Sequence, residues 1–135
     1  MAEMDIEKIR EFFAKDKFAT ENGMIIEEVG DHYAKVSVEL TDRHRNAVGG
    51  IMGGVYFTLA DFAIAVASNW DGKDGVVSLN ADMAFLAAAK DGKMYATANC
   101  IKDGRTTCYY RIDITDENGK LLNVVNVTGY KTAAR

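Results

Sequence analysis

Proline is missing altogether from the 135 residues, which removes polyproline linkers and proline-rich recognition segments. Cysteine occurs twice, at Cys100 and Cys108, and histidine twice, at His32 and His44. Neither pair has metal-ligand spacing, so no metal and no other cofactor is expected. If Asp103-Gly104 makes a two-residue hairpin turn, Cys100 faces Thr107 and Asn99 faces Cys108. The thiols then point to opposite faces and cannot bridge. Lys and Arg form no block and the net charge is -4, which disfavours sequence-independent nucleic-acid binding. No apolar run is long enough to cross a bilayer: Val55 to Ala67 is short and interrupted by Asp61. The opening MAEMDIEKIREFFAKDKF lacks a continuous apolar core, so no signal peptide is expected and the thiols are expected reduced in the cytoplasm. Gly-x-Ser-x-Gly and phosphate-loop motifs are absent as well.

What is present is globular. Hydrophobic residues make up 48% and charged residues 27%, and the length suits one domain over residues 1–135. Ile6, Ile9 and Phe13 recur at helical spacing, predicting an amphipathic helix from about Asp5 to Ala14 within a helical segment 1–20. GMIIEEVGDHYAKVSVEL reads as two strands about a Gly30-Asp31 turn, and TDRHRNAVGGIMGG as a loop. Gly54 to Asn69 reads as a helix. VVSLNADMAFLAAA, MYATANCIK, RTTCYYRIDIT and LLNVVNVTGYK follow as strands. Asp103-Gly104 and Asn118-Gly119 are hairpin signals of the type I′ kind. In the second hairpin Ile112 is expected opposite Val125, and Tyr110 opposite Val127, on a core face. Tyr109, Leu122 and Val124 fall on the other face, which is expected to meet another subunit. The pattern predicts an α+β layout, an antiparallel sheet of five or six strands around one apolar helix.

One acid interrupts that helix. Apolar residues surround it on all sides, so an ionised Asp61 without partners is costly by several kcal/mol. A half-buried structural carboxylate on the one exposed edge is the ordinary explanation. The glycines upstream offer another. Gly53 and Gly54 precede the helix, where unpaired N–H groups and the positive dipole end suit a developing oxyanion. Helix rise separates Asp61 from Gly54 by roughly 10 Å. One chain cannot easily bring both to a single carbon, whereas two chains packed together can.

Asn46-x-x-Gly49-x-x-Met52-Gly53-Gly54 with Thr58-Leu59-Ala60-Asp61 resembles hotdog-fold acyl-CoA thioesterases of the phenylacetate-pathway (PaaI-like) type. Their pattern is Asn-x-x-Gly-x-x-His-Gly-Gly followed by Asp, and the likeness extends from about Gly23 to Tyr130. The resemblance implies a hotdog fold, a dimer paired across the sheet edge or a tetramer, and an active site at the dimer interface. It assigns Asp61 as general base or nucleophile, the Gly53 N–H of the other subunit as carbonyl polariser, and Asn46 and Ser78 as groups that hold water or substrate. Met52 stands where the family has histidine. A thioether donates no hydrogen bond, so that contact is lost while the backbone donors persist.

Met52, Gly54 and Phe57 are expected to line the substrate site, with Arg105 at a hairpin tip either a solvated turn residue or a contact for the phosphates of an acyl-CoA. Both histidines are expected at the surface, with His44 the better placed to approach the pocket. The leading expectation is hydrolysis of medium-chain or aromatic acyl-CoA thioesters, without nucleic-acid or membrane partners. The rival is an acyl-CoA or small-acid binding protein that has lost its chemistry at Met52. A hotdog dehydratase is weaker, because no Asp–His pair is found.

Overall fold

A computed structural model describes residues 4–134, so the start of the expected 1–20 helical segment lies outside the described residues. Helix α1 (Ile6–Phe13) begins at Asp5, whose Oδ1 accepts from the N–H groups of Glu7 at 3.1 Å and Lys8 at 3.4 Å. Such a cap contributes about 1 kcal/mol. Ile9 and Phe13 form its buried face. A second short helix, α2 (Lys17–Glu21), follows it and was not foreseen as a separate element.

Strands β1 (Met24–Gly30) and β2 (Tyr33–Glu39) form a hairpin. Helix α3 (Gly53–Asn69) starts one residue earlier than its apolar run suggests, because Met52 is the N-cap. Strands β3 (Val76–Phe85), β4 (Lys93–Asp103), β5 (Thr107–Asp116) and β6 (Leu121–Lys131) complete one six-stranded antiparallel sheet in the order β1-β2-β4-β5-β6-β3. The sheet curls around α3, as the hotdog resemblance implies. Leu59, Ala60, Ala63, Val66 and Ala67 of α3 have no exposed surface, like Val36, Val38, Met94, Ala96, Ile112 and Val125 of the sheet. Each large apolar side chain so buried stabilises by about 1.5–3 kcal/mol, and the alanines let the strands approach the helix.

Three turns depart from the sequence reading. Gly30 pairs with Tyr33, so β1 and β2 turn at Asp31-His32, one residue later than the expected Gly30-Asp31. The β5–β6 connection, residues 117–120, has four residues, of which Gly119 alone has positive φ (+85°), so it is not a type I′ turn. Asp116 Oδ1 accepts from the N–H groups of Asn118 and Lys120 at 2.9 Å and closes it. A bulge between Ile114 and Thr115 then restores the expected pairing of Ile112 with Val125 and Tyr110 with Val127. Leu122 turns into the core at this bulge and is fully buried, so it leaves the outer face where alternation had put it.

In the β4–β5 hairpin Asp103 pairs with Cys108, and a bulge between Cys100 and Lys102 places Cys100 opposite Tyr110. Both thiols therefore share one face, not two, and both are free. Burial, above all, pushes each thiol above its usual range, which suppresses the thiolate.

Candidate active site

Helix α3 buries all but one stripe. Gly54, Phe57 and Asp61 are exposed along it, with Thr58 and Ala65 partly so. Two cavities flank Asp61. On one side a cavity of about 370 Å³ is lined by Asp16, Lys17, Phe18 and Ala19 of the α2 segment together with Thr58 and Phe62. On the other, a cavity of about 240 Å³ is lined by Ile64, Ala65 and Ser68 of α3 and by Val76, Val77 and Ser78. A third, of about 160 Å³, lies at the helix start among Met52, Gly54, Val55, Thr58, Phe18 and His44.

By surface area Asp61 is open to solvent in the single chain, yet α2 and β3 crowd it on two sides. That crowding holds its carboxyl above the ordinary carboxylate range, opposed by the Ser78 hydroxyl and reinforced by the nearby Asp16 charge. Asp16 is itself raised by burial. A carboxyl so shifted at a cavity mouth is a functional-site candidate on physical grounds.

At the other end of the stripe, the N–H groups of Gly53 and Gly54 precede the first helical bonds, and among the described residues neither donates to a backbone carbonyl. The Phe85 ring lies 3.5 Å from where a Gly53 Cβ would project. Asn46 shapes the preceding loop: its Oδ1 accepts from the N–H groups of Val48 and Gly50, each at 3.1 Å. That contact uses the carbonyl and leaves the amide NH₂ for other partners. Within one chain Gly53 and Asp61 stand roughly 12 Å apart by helix rise.

The structure thus brings Ser78 to Asp61, and Met52 to Gly54, but it does not bring these two groups together in one chain. Phe57 lies one turn before Asp61 on the open stripe. Arg105 is exposed in the β4–β5 loop and lines neither cavity beside Asp61. Asp16, Phe18 and the rest of α2 were missed. Five residues are too few to show periodicity, and Asp16-Lys17-Phe18 carries no motif.

The histidines are not the surface residues expected. His44 is 3% exposed, with Nε2 donating to the Asn22 carbonyl at 2.8 Å and Nδ1 accepting from the Thr41 N–H at 2.9 Å. It touches the Met52 cavity, but both nitrogens are spoken for, so it does not replace the family's histidine. His32, half-buried, has its ring between Asp31 at 2.9 Å and Asp103 at 3.1 Å. Asp74 joins His32 and Asp103 in a cluster with the spacing of metal ligands, but the Lys131 ammonium lies 2.5 Å from Asp103 and 3.6 Å from Asp74. That lysine is the counter-ion.

A family model described as the thioesterase superfamily matches residues 48–123. The chain belongs to the thioesterase superfamily. It is 33% identical to 1,4-dihydroxy-2-naphthoyl-CoA hydrolase of Listeria monocytogenes over 78% of its own length and 88% of that protein. An asparagine-to-aspartate variant of the phenylacetic acid degradation protein PaaI from Thermus thermophilus superposes with a TM-score of 0.80. It shares 29% identity and covers 86% of this chain and 99% of its own. A hypothetical thioesterase protein from Streptococcus pneumoniae, solved with coenzyme A, gives a TM-score of 0.81 at 27% identity, covering 89% of this chain and 96% of its own. Membership makes the protein a hydrolase of PaaI-like hotdog architecture. No helix among the described residues is long and apolar enough to cross a membrane.

Proposed function

We propose that this thioesterase hydrolyses acyl-CoA thioesters with medium-chain or aromatic acyl groups, in a site shared by two protomers. The observation that carries this reading is Asp61, a lone carboxylate on an apolar helix, flanked by two cavities and held above its usual pKa. Ionised, it takes a proton from water as that water attacks the thioester carbonyl. The carbonyl electrons move to oxygen, and the resulting oxyanion is met by the Gly53 N–H of the partner subunit, with Gly54 beside it. Collapse breaks the C–S bond, and the CoA thiolate takes up the proton. Ser78 and Asn46 orient the water and substrate. Met52, Gly54 and Phe57 contact the acyl group, and Arg105 is left for the CoA phosphates. The CoA-bearing streptococcal neighbour and the naphthoyl-CoA hydrolase relative support the substrate class.

A second reading, binding without turnover, is favoured by one observation: Met52 offers no hydrogen at the helix start. A thiol-release assay over straight-chain and aromatic acyl-CoAs separates the two. Hydrolysis is expected in the native protein, reduced roughly 10²–10⁴-fold in Asp61→Asn with the fold retained. Tight binding without turnover favours the second reading, and a large gain from Met52→His then identifies the missing contact.

A further inference from the structure

Phe18 is 75% exposed, an unusual state for a large aromatic ring on a firmly held element. Its helix, α2, is tied down at its C-terminal end. Ala19 is buried against the core. The Asn22 side chain donates to the Phe18 carbonyl at 2.7 Å, the Arg43 guanidinium donates to the Glu21 carbonyl, and buried His44 donates to the Asn22 carbonyl at 2.8 Å. The backbone beneath Phe18 is therefore fixed while its ring is not packed away. The ring lines two cavities at once, the one at Asp61 and the one at Met52 and Gly54, and Thr58 of α3 is the other residue common to both. The ring thus stands over the open stripe of α3, between the carboxylate and the glycine start of the helix. The segment lies outside residues 48–123, the part matched by the superfamily model.

We propose that α2 is the outer wall of the acyl site and that Phe18 is its specificity-determining residue, covering the acyl group of the thioester along α3. This rests on the hydrolase reading above. An apolar acyl group lying in the stripe would dehydrate the ring and the exposed Phe57 and Met52 side chains together, which gives longer or aromatic acyl groups an advantage over acetyl. Lys17 and Asp16, on the same wall, keep its outer rim polar.

The test measures kcat/KM for acetyl-, hexanoyl-, decanoyl- and phenylacetyl-CoA, with calorimetric Kd values for the matching non-hydrolysable thioethers, in native protein, Phe18→Ala and Phe18→Trp. Melting curves confirm that both variants fold, as expected for so exposed a position. The inference expects the preference for the best acyl group over acetyl to fall roughly 10–100-fold in Phe18→Ala, and to be reshaped in Phe18→Trp. Turnover with an unchanged acyl profile in both variants overturns the role of Phe18 and leaves the hydrolase reading standing. Binding without turnover, with affinity that loses its acyl dependence in Phe18→Ala, overturns hydrolysis and supports the wall. Neither binding nor turnover by the native protein overturns both.

Discussion

Asp61 and Asp16 face each other across a cavity that also holds Lys17, Thr58 and Phe62, with Ser78 on the far side of Asp61. Asp61 must be ionised to act as a base, so activity falls as pH drops through its pKa. Crowding first and the Asp16 charge second place that pKa above the usual range. Asp16→Asn removes the like charge, which eases ionisation of Asp61. The acid limb of the kcat/KM profile is therefore expected to move to lower pH, with the plateau rate preserved. A profile that keeps its limb separates Asp16 from Asp61.

At the scale of elements, helix α3, the strand alternation and the β5–β6 register are legible in the sequence because apolar periodicity reports burial directly. What escaped has a common cause. The β4–β5 turn is closed by the Gly104 N–H on the Thr107 carbonyl, and the β5–β6 turn, next to the inward Leu122, by N–H groups on the Asp116 carboxylate, local contacts that apolar patterning does not record. His44 escaped because a polar residue in a polar loop reads as solvated, although here it fastens α2 to that loop. Asp61 and the Gly53-Gly54 pair stand out in the sequence as candidate site residues, whereas α2 was too short to announce itself. The fastening is testable: His44→Ala removes the hydrogen bonds to the Asn22 carbonyl and from the Thr41 N–H and is expected to cost roughly 1–3 kcal/mol in urea unfolding. A change within error would make the imidazole incidental.

At the scale of the whole molecule, β3 is an edge strand paired only to β6, and it exposes Val77, Leu79 and Phe85. A long edge with apolar side chains is a template for another chain. Pairing through it is proposed to give the homodimer that the site requires, with a homotetramer as its doubling. Leu79→Arg is expected to shift the sedimentation coefficient toward the monomer and to remove thioesterase activity in parallel. A variant that dissociates yet keeps full activity would separate catalysis from assembly.

The roughly 12 Å between Gly53 and Asp61 along one helix has a genetic consequence. If each catalytic unit takes its acid from one chain and its amide from the other, two dead variants can repair each other. Asp61→Asn and Gly53→Pro, the second lacking the N–H at a first helical position that tolerates proline, are each expected to be inactive alone and to recover about a quarter of native activity when unfolded together and renatured in equal amounts, because half of the hybrids' sites inherit both intact groups. Mixtures that stay silent would mean that each chain works alone.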